Sequence, residues 1–181
     1  MSSSTVTPST WLRDAWRNFT SIRARPVTGS HLLRIDGYSV ADRMVVPGKS
    51  IDSPAFHAGG HKWKLSYYPN GRDDGHKPKP SQVSVSLTLL EPGGAGGDPT
   101  AMYRVSILDR DGKPAYSYAV EPQQFSKNKA TSHVDVLVTA EEREAARRLI
   151  GDDSLAVRCD VTVMRFDEES RLKWYLRRLL D

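Results

Sequence analysis

Residues 155–163 place Leu155, Val157, Cys159, Val161 and Val163 on one side of an extended chain and Ala156, Arg158, Asp160 and Thr162 on the other. A period of two sustained this long fits a strand with one face in a core and one in water. The pattern recurs at Val83, Val85, Leu87 and Leu89, separated by Ser84, Ser86 and Thr88. One such strand cannot bury its apolar face alone, so several must assemble into sheets.

Turn residues mark out the other strands. His31 to Ile35 stops at Asp36-Gly37, and residues 61–67 alternate up to Pro69-Asn70-Gly71. Residues 102–108 and 115–120 flank Asp109-Arg110-Asp111-Gly112, and Val134, Val136 and Val138 alternate again. Glycine and proline crowd residues 91–99, which read as a loop. Helical spacing is confined to three short stretches. Trp11, Leu12, Ala15, Trp16 and Phe19 form a stripe in residues 11–19, and Leu172, Tyr175, Leu176 and Leu179 form another in residues 167–180, with Trp174 beside it. Between them, Thr139 and Glu142 have capping-box spacing before a helix that stops at Gly151. At least six strands against at most three helices make the class mainly β, and an antiparallel β-sandwich is the natural solution for two one-faced sheets.

The 181 residues suffice for one domain with short additions. A net charge of +4, from 26 Lys and Arg against 22 Asp and Glu, is too diffuse for a nucleic-acid footprint. Cys159 is the single cysteine, which excludes an intrachain disulfide; its apolar face makes it a packing residue. Neither a membrane-spanning run nor a secretory leader is legible, so the expected location is cytoplasmic or nuclear. Gly48-Lys49-Ser50 imitates the end of a phosphate loop, but Arg43 stands where the earlier glycine is required. His57 and His61 are separated by Gly59-Gly60, which breaks the helix that would align them on a metal. No nucleophile, base and orienting acid share a motif, so the expectation is a non-enzyme without cofactor or metal.

Four blocks then acquire a common meaning: residues 29–39, Gly48 to Ile51, residues 59–71 and residues 152–163. In this order they resemble the MATH (TRAF-like) domain, especially the grass MATH-BTB group, over about residues 21–164. The resemblance implies a sandwich of seven or eight strands over residues 21–164; the polar start and the two helical stripes add a tail and helix in residues 1–20 and a helix in residues 165–181. It implies a module that binds short extended peptides, often rich in Ser and Thr. Relatives pass the bound protein to a ubiquitin ligase through a following BTB domain, which this sequence does not show. A BTB-less recognition or competitor protein, with BTB-containing relatives as partners, is the corresponding expectation, and the default state is a monomer. Carried onto this sequence, the peptide groove falls on Gln82, Tyr103, Ser132, His133 and Val134, with Tyr103 its surviving aromatic. The alternative is an assembly role in which Trp11, Trp16, Leu172, Trp174, Tyr175, Leu176 and Leu179 contact a partner helix.

Overall fold

The computed structural model describes residues 20–73, 82–93, 97–149 and 152–169. In chain order the elements are β1 (Ser21–Asp36), α1 (Tyr38–Met44), β2 (Ile51–Asp52), β3 (Phe56–Ala58), β4 (His61–Tyr68), β5 (Val83–Leu89), β6 (Thr100–Leu108), β7 (Pro114–Gln124), β8 (Thr131–Val136), α2 (Ala140–Leu149) and β9 (Ser154–Glu169). One sheet runs β1-β9-β6-β7; the other runs β2-β4-β5-β8, with β3 added to β4. The protein is mainly β, an antiparallel β-sandwich of seven longer and two short strands among the described residues, with two short helices. By its contacts the chain divides into two compact units, Pro26–Met164 and a second made of Met1–Arg25 with Arg165–Asp181.

The alternation places the core where the sequence puts it. Leu155, Val157, Cys159, Val161 and Val163 of β9 are all buried, as are Val83, Val85, Leu87 and Leu89 of β5. Burial pushes the Cys159 thiol up to about 12, which leaves it protonated and inert at neutral pH. Trp63 is fully buried; its indole N–H donates to the Ala58 carbonyl at 3.0 Å, and its ring meets Phe125 edge-on with centroids 5.0 Å apart. A buried indole needs such an acceptor, so the bond ties β3 to β4 across the Gly59-Gly60 reversal.

The capping box forms. The Thr139 N–H donates to Glu142 Oε2 and the Glu142 N–H to Thr139 Oγ1, both at 3.1 Å, and α2 follows at once. Elsewhere local reading and structure part. Asp167, placed by its sequence in a helix, belongs to β9, which extends through Glu169. The adjacent β1, which begins at Ser21, supplies pairing that local helical spacing cannot outweigh, and Arg25 lies 3.0 Å from Asp167. β8 ends at Val136 because Leu137 takes a left-handed φ of 50°, so Val138 is outside the strand. Helix α1 has no sequence stripe. The Asp153 carboxylate receives the Ser39 N–H and hydroxyl at its start, Asn70 Nδ2 donates to the Asp42 and Val45 carbonyls at its end, and Asp42 ion-pairs with Arg143 and Arg147 of α2. Trp11, Trp16, Leu172, Trp174, Tyr175, Leu176 and Leu179 lie outside the described residues.

One side of the sandwich is shut by close packing over two glycines. A Cβ on Gly29 of β1 would lie 2.7 Å from the Ala58 Cβ, and one on Gly59 would lie 2.4 Å from the Val163 Cβ. Gly59 also has a φ of +60°, so both space and conformation call for glycine there. His31 of β1 stacks on Phe56 of β3, with centroids 4.4 Å apart and planes 5° from parallel.

Two outcomes follow from this packing. Trp63→Ala is expected to lower unfolding free energy by roughly 3–5 kcal/mol in denaturant titration; an unchanged midpoint would contradict the burial. His31 has a buried Nε2 without a hydrogen bond, and desolvation lowers its pKa from the ordinary 6.5. The unfolded chain therefore binds the proton more readily, so stability is intact above pH 6.5 and falls as pH drops below it. Denaturant midpoints measured from pH 8 to pH 5 should fall for the native chain and flatten in His31→Phe.

Candidate functional site

The opposite side of the sandwich, between β7 and β8, is built differently. Both are edge strands of their sheets, and they approach each other at a few points across the margin. Tyr116, Tyr118 and Val120 of β7 and Val134 of β8 point toward the core from this side and stay half-buried, packed against its margin. Two hydrogen bonds bridge the seam. The Tyr118 hydroxyl accepts the Leu137 N–H at 3.1 Å, and Gln123 Nε2 donates to Ser132 Oγ. Burial raises the Tyr118 hydroxyl pKa, the Leu137 amide opposes that rise, and the Glu142 carboxylate adds to it.

The ladder between β5 and β8 decides where the edge strand's backbone points. Val83, Ser84, Val85, Ser86, Leu87 and Thr88 face Val136, Asp135, Val134, His133, Ser132 and Thr131 in turn. The Leu89 N–H donates to the Ala130 carbonyl at 2.8 Å, marking that pair as hydrogen-bonded in the same register. Antiparallel pairs alternate, so Ser132, Val134 and Val136 bond to β5. The N–H and C=O groups of Thr131, His133 and Asp135 therefore point away from β5, along the outer edge of the sheet.

The five residues expected in the groove are thus divided between environments. Tyr103 is 2% exposed, and its hydroxyl lies 3.0 Å from Ser132 Oγ inside the sandwich. Burial pushes that phenol up to about 12, against the opposing pull of Ser132. An open groove aromatic it is not; Tyr103 is the floor under the seam. Ser132 is buried with it, and Val134 is half-buried on the same side. His133 faces outward, where its Nε2 is 3.0 Å from Arg72 Nη2. Gln82 is half-buried just before β5, on the face its alternation shares with Ser84 rather than Val83. The same margin also holds Tyr116, Tyr118, Val120 and Gln123, which the resemblance does not point to. The first three alternate along β7, a legible signal, but its reading required knowing that β7 lies at an edge.

A family profile described as "MATH domain" matches residues 30–161, more than half of the chain. This chain belongs to the MATH-domain family. Among similar curated proteins, BTB/POZ and MATH domain-containing protein 3 of Arabidopsis thaliana is 32% identical over 109 residues, 60% of this chain and 22% of that protein. Protein 4 of the same series is 33% identical over 109 residues, 60% of this chain and 20% of its own, and protein 5 is 36% identical over 87 residues, 48% and 20%. The matches span about a fifth of these relatives' length. MATH domains are non-catalytic folds that mediate protein interactions. No helix among the described residues is long and apolar enough to cross a membrane, and no group of three His, Cys, Asp or Glu among them is placed to hold a metal.

Placing Tyr103 beneath the seam changes what its substitution does. Tyr103→Ala is expected to destabilise by roughly 3–5 kcal/mol, as other buried aromatic truncations do. Tyr103→Phe, which removes only the hydroxyl from the Ser132 contact, should cost about 1 kcal/mol. Thermal and denaturant unfolding of the two variants checks the assignment, and equal stabilities would refute it.

Proposed function

We propose that this MATH domain binds an extended peptide segment of a partner protein by adding it as a strand along β8. The observation that carries the reading is the edge that no strand among the described residues pairs with: the backbone groups of Thr131, His133 and Asp135 point outward beside a seam of half-buried tyrosine and valine side chains. Main-chain bonds would supply affinity, and alternate ligand side chains would rest on Tyr118, Val120 and Val134. At Ser132, which already gathers Tyr103 and Gln123, the margin turns polar. That change suits a ligand with Ser or Thr at the facing position, in keeping with the peptide class that the family resemblance implies.

The wider role follows from the relatives, whose names join MATH to BTB/POZ. In this reading the chain selects proteins for ubiquitin-ligase pathways, or competes for them with BTB-containing relatives, in cytoplasm or nucleus. Gln82 and His133 are then contacts flanking the ligand on the outer face, while Tyr103 acts from below through Ser132.

Proline separates this mechanism from packing. The His133 N–H lies on the outer edge, so His133→Pro leaves the β5 ladder whole but removes a donor from an added strand; edge strands tolerate such a proline. A random octapeptide library displayed on phage is panned against the full chain, and enriched peptides are titrated into wild type, His133→Ala and His133→Pro. The alanine variant is expected to bind within a few-fold of wild type and the proline variant roughly tenfold or more weakly, with unchanged far-UV spectra. Equal binding by a folded proline variant would remove the β8 edge from the site.

A further inference from the structure

The two ends of the seam carry opposite charge. At one end a tight turn joins β7 to β8: Ser126 and Lys129 exchange backbone bonds of 3.2 and 3.0 Å around Lys127-Asn128. Lys127 and Lys129 are exposed there, and neither has an ion pair among the described residues. At the other end the chain leaves β8, the Leu137 N–H reaches the Tyr118 hydroxyl, and two residues later Thr139 opens α2 with Glu141 and Glu142 in its first turn. Glu142 accepts the Thr139 N–H at 3.1 Å, two residues past the Leu137 amide that reaches Tyr118, which places it at that end of the seam. Asp135, the last outward-facing residue of β8, adds a third carboxylate at that end and receives the Ser84 hydroxyl. The middle holds the Arg72–His133 contact, with exposed Glu121 on β7.

From this arrangement we infer that the seam selects a bipolar extended segment and fixes its direction: basic at the ligand's N-terminal end, acidic at its C-terminal end. The inference rests on the strand-addition reading. The other pairs within this sheet are antiparallel, and antiparallel pairing is the more stable per residue. An added antiparallel strand starts beside Val136 and ends beside Thr131. Its first residues therefore meet Asp135, Glu141 and Glu142, and its last meet Lys127 and Lys129. The six residues of β8 span roughly 20 Å. That length keeps the poles about two Debye lengths apart at physiological salt, so each end is read separately. Such rim charges act mainly on orientation and association rate, while the edge and the half-buried seam supply the common affinity.

The test uses the octapeptide selection on the full chain, followed by synthetic peptides made from one enriched core. Three versions carry Lys at the N-terminal end and Glu at the C-terminal end, the reverse, or Ser at both. The expected order is first, neutral, reversed, with roughly tenfold between the extremes at low salt and convergence near 0.5 M salt. In Lys127→Glu/Lys129→Glu, a double variant at exposed turn positions outside the ladder, both ends of the seam become acidic and the difference between the first and the reversed peptide should vanish. Equal affinities of the three peptides, or an unchanged preference in the double variant, would overturn the bipolar reading while leaving strand addition standing. The opposite charge order would overturn antiparallel entry. Enrichment of no peptide by a folded chain would overturn strand addition and the charge reading with it.

Discussion

The sandwich is organised around an indole that has no contact with water. Trp63 must place its N–H on an acceptor, and the Ala58 carbonyl is presented by the reversal at Gly59-Gly60. That bond sets β3 on β4, while Phe125, just past β7, meets the ring edge-on from the opposite sheet. One side chain thereby links a local hairpin to the mutual placement of the two sheets. Leu65, Leu87, Val105 and Val157 are buried in the same core, each with 0% exposure.

The two sides of the sandwich solve the edge problem by opposite means. At Gly29 and Gly59 side chains are absent, so the β3 backbone approaches Gly29, the Val163 side chain fills the space over Gly59, and the margin closes. Between β7 and β8 tyrosines and valines hold the margin half-buried, the polar bridges at Ser132 and Leu137 keep the strands in place, and no strand among the described residues pairs with the outer edge of β8. An uncovered edge beside a half-apolar margin is the physical requirement for taking up another strand.

The α1–α2 contact stabilises the end of that margin. Asp42 and Arg143 are close to fully buried, with side-chain exposures of 8% and 11%, and their nitrogen and oxygen are 2.7 Å apart. A pair so placed adds little over an apolar contact, but neither partner is dispensable once the other is buried. Asn70 binds the carbonyls of the same helix, which anchors α1 to the turn after β4. With α2 held in this way, Glu142 and its capping hydrogen bonds stay beside the end of β8.

Period-two alternation in β5 and β9 and the capping box of α2 were legible from the sequence, because each depends on residues within a few positions of one another. These local rules determined the mainly β class, the buried cysteine and most of the core, and the spaced blocks carried the family resemblance. The groove residues were only partly legible. Tyr103 and Ser132 are paired across the sheets, while His133, next to Ser132 in sequence, points to the other face. Strand order alone made β7 and β8 edges, gave Tyr116 and Tyr118 a half-open position, and drew β9 through Asp167 by pairing with β1. A strand's faces are set by its own residues, but its neighbours, and hence which face or edge is left for a partner, are set by contacts between residues far apart in the chain.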